Sequence, residues 1–226
     1  MALNAANVPM TAGPKQEPIA IGTYMARLVQ VVDLGLQPQE FQGQMKDPKH
    51  EVNLTYELVT EFMKDADGKP DPEKPRWVGE SFVLNNLKAD LAKSTKRIKA
   101  IDPAGTCNGN LVKMLGLPCL VTIAHNVAKK NGNVYANVSM VSPPMAGIPC
   151  PPLKNEPRFF DLSNPDLKAF LALPEFMQAK IKANLEFKGS PLDRLLANSD
   201  GTANPAAPAE VREDMNNMDD MDQPPF

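Results

Sequence analysis

The chain has 226 residues, with 24 Lys+Arg against 27 Asp+Glu, a formal net charge of -3 and 42% hydrophobic residues. That content supports a real core and suits one domain with extensions or two small ones, and no apolar run approaches the ~18 residues of a membrane span. Three cysteines, Cys107, Cys119 and Cys150, are odd in number and lack CxxC spacing, which argues against a disulfide framework and for reduced thiols in a cytosol.

The net charge hides a split. Residues 199–226 hold seven acids (Asp200, Glu210, Glu213, Asp214, Asp219, Asp220 and Asp222) and one base, Arg212, whereas residues 1–198 carry 23 Lys+Arg against 20 Asp+Glu. A mildly basic body with a strongly acidic tail suits a protein that binds an anion and carries its own anionic mimic. The opening MALNAANVPM has neither the charged nor the apolar region of a secretory leader. A cytoplasmic protein is therefore expected, with no membrane partner.

Residues 1–17 are small, polar and proline-containing, and are expected to form a flexible N-terminal arm. From Ile21 to Leu34 a long, proline-free run rich in β-branched residues predicts a first strand. Gly22 and the Asp33–Gly35 stretch are places for bulges as it bends around a small barrel. A polar loop is expected over residues 35–49. Val52, Leu54, Tyr56 and Leu58 then alternate with Asn53, Thr55 and Glu57, the period of a half-buried second strand. After a charged Gly/Pro loop over residues 65–74, Arg76 to Leu84 predicts a third strand.

The period then changes. Leu87, Leu91, Ile98 and Ile101 lie on one helical face, with Asn85 or Asn86 as cap and Pro103 and Gly105 as the stop. A shorter helix is expected between Asn108 and Gly116. Pro118–Asn126 and Asn133–Val141 form a hairpin around Lys129–Gly132, where Asn131-Gly132 is a strong turn signal. Five strands with a helix between the third and fourth is the order of a Greek-key OB-fold barrel, so the expected fold class is mainly β with helices. Another small barrel or an α+β sheet shares that order.

Residues 18–142 are thus expected to form the barrel domain. Residues 143–198 follow as a Pro-rich strap and three short helical segments, opened by Asn164-Pro165, Pro174 and Ser190-Pro191. They either pack on the barrel or mediate self-association. Beyond Asn198 the composition reads as a disordered acidic tail.

An OB barrel binds single strands through the face of strands 2–3 and the loops joining strands 1–2 and 4–5. Cations must track phosphates and flat rings must stack on bases. The first loop offers Phe41, Lys46, Lys49 and His50, the second Lys129 and Lys130. The strands offer Tyr56, Arg76, Trp77, His125 and Tyr135, and Arg27 joins them if it faces outward. Each has a structural alternative. Tyr56 is in register with the core residues of its strand, Trp77 can cap a core, and His125 can be a satisfied strand residue. The Lys93–Lys99 cluster reads as a solvated helix face or a dock for the tail. No catalytic constellation, cofactor motif or metal-ligand spacing is visible, since Walker, HExxH and GxSxG patterns are absent.

The chain ends Met-Asp-Asp-Met-Asp-Gln-Pro-Pro-Phe. Three repelling carboxylates and two prolines cannot build a core, yet the last residue is a large apolar ring. Asp219, Asp220, Asp222, Pro225 and Phe226 resemble the C-terminal tip of single-stranded DNA-binding proteins of bacteria and their phages. The layout, one barrel with elaborations and a tail, resembles the phage type. Pro224 stands where that family usually carries an apolar residue. The resemblance implies sequence-tolerant coating of single-stranded DNA during replication, recombination and repair. It also implies recruitment of a polymerase, helicase, primase or nuclease through the tip, with no enzymatic activity. One barrel is a small footprint, so self-association or cooperative coating is expected to extend it. The alternative is a non-catalytic barrel that binds a protein or serves virion assembly, its acidic tail serving solubility.

Overall fold

The structure, a computed structural model, describes residues 16–128 and 132–199. The fold is mainly β. Five antiparallel strands form a curled half-barrel: β1 (Gly22–Phe41), β2 (Gln44–Lys64), β3 (Pro70–Val83), β4 (Pro118–Val127) and β5 (Val134–Ser142). Their spatial order is β3-β2-β1-β4-β5, and a short sixth strand, β6 (Arg158–Phe160), pairs in parallel with β1. Helix α1 (Lys93–Ile101) lies between β3 and β4 in the chain. The barrel-like sheet is compatible with an OB-fold. Among the described residues no helix is long and apolar enough to cross a membrane.

The first strand serves two cores. Ala26 and Leu28 point into the barrel, where they meet Leu54, Tyr56, Leu58, Val121 and Ile123. A bulge between Leu28 and Gln30 inserts one residue, and a single extra residue exchanges the two faces of a strand. Val31 therefore still faces the barrel, while Val32 and Leu34 face a second core with Phe160, Phe170, Met177, Ile181 and Leu192. That core belongs to three short helices, α2 (Leu167–Leu171), α3 (Glu175–Lys182) and α4 (Pro191–Ser199). Asp166 caps α2, accepting from the N–H of Ala169 at 2.7 Å. The Ser190 hydroxyl accepts from the N–H of Asp193 in the first turn of α4 at 3.1 Å.

Several elements depart from the sequence expectation. The expected polar loop over residues 35–49 is strand, because β1 and β2 run on as a ribbon to a turn at Gln42 (φ 53) and Gly43 (φ 74). Positive φ at both central residues is what a two-residue type I′ hairpin requires. From Pro38 outward the ribbon is wet on both faces, so no apolar alternation marks it. The expected loop over residues 65–74 shrinks to a tight turn, in which the Asp65 carboxylate accepts from the N–H groups of Asp67 and Lys69 at 2.9 and 2.8 Å. The helix expected from Leu87 starts at Lys93, leaving Leu87 and Leu91 exposed. Asn86 uses its side chain to close a turn on the N–H of Lys88 at 2.9 Å instead of capping a helix. Gln16, read as part of a flexible arm, exchanges two hydrogen bonds with the backbone of Lys64.

β3 and β5 are not hydrogen-bonded to each other, so the barrel has an open seam. Buried polar groups close it. Arg97 on α1 makes a bidentate pair with Glu80 on β3, Nε–Oε1 2.7 Å and Nη2–Oε2 3.1 Å, and Nη2 also donates to the carbonyl of Ser139 on β5 at 3.3 Å. The Tyr56 hydroxyl donates to Glu80 from inside the barrel at 3.1 Å, and Lys93 reaches the same carboxylate at 3.0 Å. Burial, then the neighbouring Glu80 charge, pushes the Tyr56 hydroxyl well above its ordinary pKa.

Removing one partner of a buried pair strands the other. Glu80 is 3% exposed, so Arg97→Met is expected to cost about 3–5 kcal/mol in urea unfolding. Glu80→Gln combined with Arg97→Met should recover most of that loss. A second expectation concerns acid. Asp102, just after α1, accepts from the N–H of Cys107 at 2.6 Å and from the N–H and hydroxyl of Thr106 at 3.0 Å each. These donors, Cys107 foremost, hold its carboxyl below the 3.8 of an unfolded aspartate. Its contribution is therefore complete above that value and is lost as pH falls through the lower, folded one. Melting temperature should drop more steeply in wild type than in Asp102→Asn between about pH 5 and about pH 3.

Candidate nucleic-acid interface

The most exposed ordered element is the end of the β1–β2 ribbon, where every residue from Phe41 to His50 is exposed. Lys46, Lys49 and His50 all lie on it. Lys46 stands opposite Gln39, Lys49 opposite Gln37, and His50 opposite Leu36. Lys46 Nζ approaches Gln44 Oε1 at 3.3 Å, and His50 Nε2 approaches Asp33 Oδ1 at 2.8 Å.

The root of this arm is fixed by the helices. Gln37 donates from Nε2 to the carbonyls of Leu34 and Lys180, at 2.6 and 3.1 Å. Gln39 donates to Glu51 at 2.8 Å, and the other oxygen of Glu51 pairs with Lys180 Nζ at 2.7 Å. The N–H of Leu185 donates to the carbonyl of Leu36 at 2.9 Å. Gly35 makes the close approach possible. Its φ is +78°, and a Cβ there would sit 2.7 Å from Asn184 Cγ and 2.8 Å from Leu162 Cδ1.

The outer face of β2–β3, the usual OB platform, is covered by the chain's own strap. Glu57 is fully buried on it. Its carboxylate accepts from the N–H of Lys154 (2.7 Å), the N–H of Asn155 (3.3 Å), Asn155 Nδ2 (2.7 Å) and Trp77 Nε1 (3.1 Å). Arg158 lies over the Trp77 ring, 5.6 Å from its centroid. β6 extends the cover by pairing with β1 at Gln30–Val32. Lys154 and Arg158 are the residues that the sequence reading missed. Their neighbours Phe159 and Phe160 signalled that the strap lies on the barrel, but nothing in the Pro-rich run marked a strand or these two cations.

The other sequence candidates have defined places. Tyr56 is a core residue with no exposed face, so it is not a stacking platform in this structure. Arg27 is a clamp: Nε donates to the carbonyl of Pro151 (2.6 Å), Nη1 to Gly116 (2.6 Å) and Nη2 to Cys150 (2.8 Å). His125 Nε2 lies 2.7 Å from the Ile19 carbonyl and braces the segment before β1. Arg76 is half-buried on β3 opposite Leu58. Tyr135 is half-buried beside the 4–5 turn. Lys129, Lys130 and the tip residues Asp219, Asp220, Asp222, Pro225 and Phe226 lie outside the described residues.

The register sets the arm and the Val127–Val134 end of the β4–β5 hairpin at opposite ends of β1. The arm continues its C-terminal end, while Gly22 pairs with Ile123 near the end of β4, so the last β4–β5 pair lies beyond its N-terminal end. Cys119 is buried, which pushes its thiol up to about 12, and burial also raises Cys150. Among the described residues no three His, Cys, Asp or Glu side chains cluster as metal ligands. No protein-family model and no curated protein matches the chain.

Arg27→Ala would remove three charge-assisted bonds, two of which hold the strap at Cys150 and Pro151 and one the turn before β4 at Gly116, a loss on the order of 2–3 kcal/mol. Limited trypsin digestion should then cut at Lys154 and Arg158 under conditions that leave the wild-type strap intact.

Proposed function

We propose that the chain is a non-enzymatic single-stranded DNA-binding protein. In this reading it coats exposed strands during replication, recombination and repair, and recruits partner proteins through its acidic C-terminal tip. The observation that carries the reading is the arm. A hydrogen-bonded ribbon with every residue from Phe41 to His50 in solvent contributes nothing to either core, and its Lys46, Lys49 and Phe41 are the residue types a single strand needs. The basic body with its acidic tail and the resemblance of Asp219–Phe226 to the family tip support the same reading.

A second reading has its own observation. The outer face of β4 with the first half of β1 and with β5 carries the cross-strand pairs Thr23–Thr122, Met25–Leu120 and Thr122–Met140. These rows contain no charge, which suits a protein partner better than a phosphate backbone.

Titration of labelled oligo-dT by fluorescence anisotropy separates the two. The full chain should bind the single strand in preference to duplex. Affinity should fall linearly in log–log form with salt, at a slope of about 0.7 per neutralised phosphate. Lys46→Glu with Lys49→Glu should weaken binding and flatten that slope by about 1.4. Absence of binding at low salt would overturn the reading.

A further inference from the structure

We infer that the base-stacking contact is made by one face of the arm, through Phe41 beside Lys46, and not by the β2–β3 platform that an OB barrel ordinarily uses. The inference rests on the single-strand reading and specifies where the strand is gripped.

Residues directly opposite one another in an antiparallel pair share a face, and successive residues alternate. Phe41 stands opposite Gln44, Glu40 opposite Met45, and Gln39 opposite Lys46. One face of the ribbon end therefore presents Gln39, Phe41, Gln44 and Lys46. The other presents Glu40 and Met45. The first has a ring, a cation and amides, and the Glu51 carboxylate that touches it at Gln39 is paired with Lys180. The second has a carboxylate. Lys46 makes its contact with a neutral amide oxygen, so its charge is not spent on a neighbouring acid. Phe41 sits in the tip pair of the hairpin and is 47% exposed.

The platform offers no equivalent. The Tyr56 ring is in the core. The Trp77 ring lies under Arg158, and its N–H is committed to Glu57. A strand laid there would have to lift β6 and would meet the buried Glu57 carboxylate. Among the described residues the other well-exposed ring near it, Phe159 at 52%, is on β6 itself.

The experiment uses the full chain and oligo-dT, with circular dichroism melts to show that each variant folds. Phe41→Ala should weaken binding roughly 5- to 140-fold, the range expected for loss of one stacked base. Met45→Ala and Phe159→Ala should bind like wild type. Trp77 is the only tryptophan, so its fluorescence should stay unchanged at saturating oligo-dT. Phe41→Trp in a Trp77→Phe background should be quenched. Wild-type affinity for Phe41→Ala would overturn the inference, as would quenching of Trp77 or a loss confined to Phe159→Ala. So would a change in sedimentation of Phe41→Ala without loss of affinity, since that would make the tip a contact between copies of the chain. If wild type itself fails to bind, the single-strand reading falls, and the inference with it.

Discussion

The inserted residue between Leu28 and Gln30 is the constraint on which both cores depend. Before it, β1 pairs with β4 and sends Ala26 and Leu28 into the barrel. After it, the same strand pairs with β6 and sends Val32 and Leu34 outward, where they meet Phe160 and the three helices. Without the extra residue the strand would keep its parity. Val32 and Leu34 would then crowd the barrel, and the helices would lose the surface they cover. Gly35, a few residues on, lets Asn184 and Leu162 approach closer than any side chain would permit. The barrel and the helices are therefore two sides of one strand.

The two most consequential buried carboxylates work differently. Glu80 closes the barrel seam through Arg97, Lys93 and Tyr56, so its charge is matched by cations. Glu57 is matched mainly by N–H dipoles from the strap and by Trp77. Four hydrogen bonds satisfy it while the strap is down. Lifted, the strap would leave a carboxylate on the platform, directed at whatever replaced it. For a polyanion that is the wrong sign, so the residue that makes the strap necessary also makes the platform unfavourable for DNA.

The strand order was legible because the barrel strands carry alternation or long β-branched runs. Val52 to Leu58 reads as period two, and Val52, Leu54, Tyr56 and Leu58 do share the barrel core, but Asn53, Thr55 and Glu57 are buried as well, so the strand is covered on both faces and not half-buried. What escaped was the structure held by polar groups. The ribbon over residues 35–50 has no apolar face to advertise it, and Gln42-Gly43 is a weaker turn signal than Asn-Gly. The start of α1 was misplaced because Asn86 can cap a helix or close a turn, and only the tertiary anchors at Ser94 and Thr95 select the turn. β6 is three residues long and exists only because β1 has a free edge beyond Arg27. At the site, the residue types suggested cations and rings for a ligand. Arg27 proved to have carbonyl partners 89 to 124 residues away in the chain, a pairing that no local pattern announces.

The helices have a role beyond covering the second core. Lys180 holds Glu51 with its ammonium and accepts from Gln37 with its carbonyl, while Glu51 in turn accepts from Gln39. These four residues meet where the ribbon leaves the barrel. A two-stranded ribbon alone in water is only marginally stable, and free rotation about its root would cost any ligand the entropy of ordering it. Tying the root to α3 removes that cost in advance. It also means that force on the arm is felt at Lys180 and, through Ile181, in the second core. The fold thus joins its most exposed element to the helices by hydrogen bonds and to the barrel by continuous strand, so the root of the arm is anchored in both.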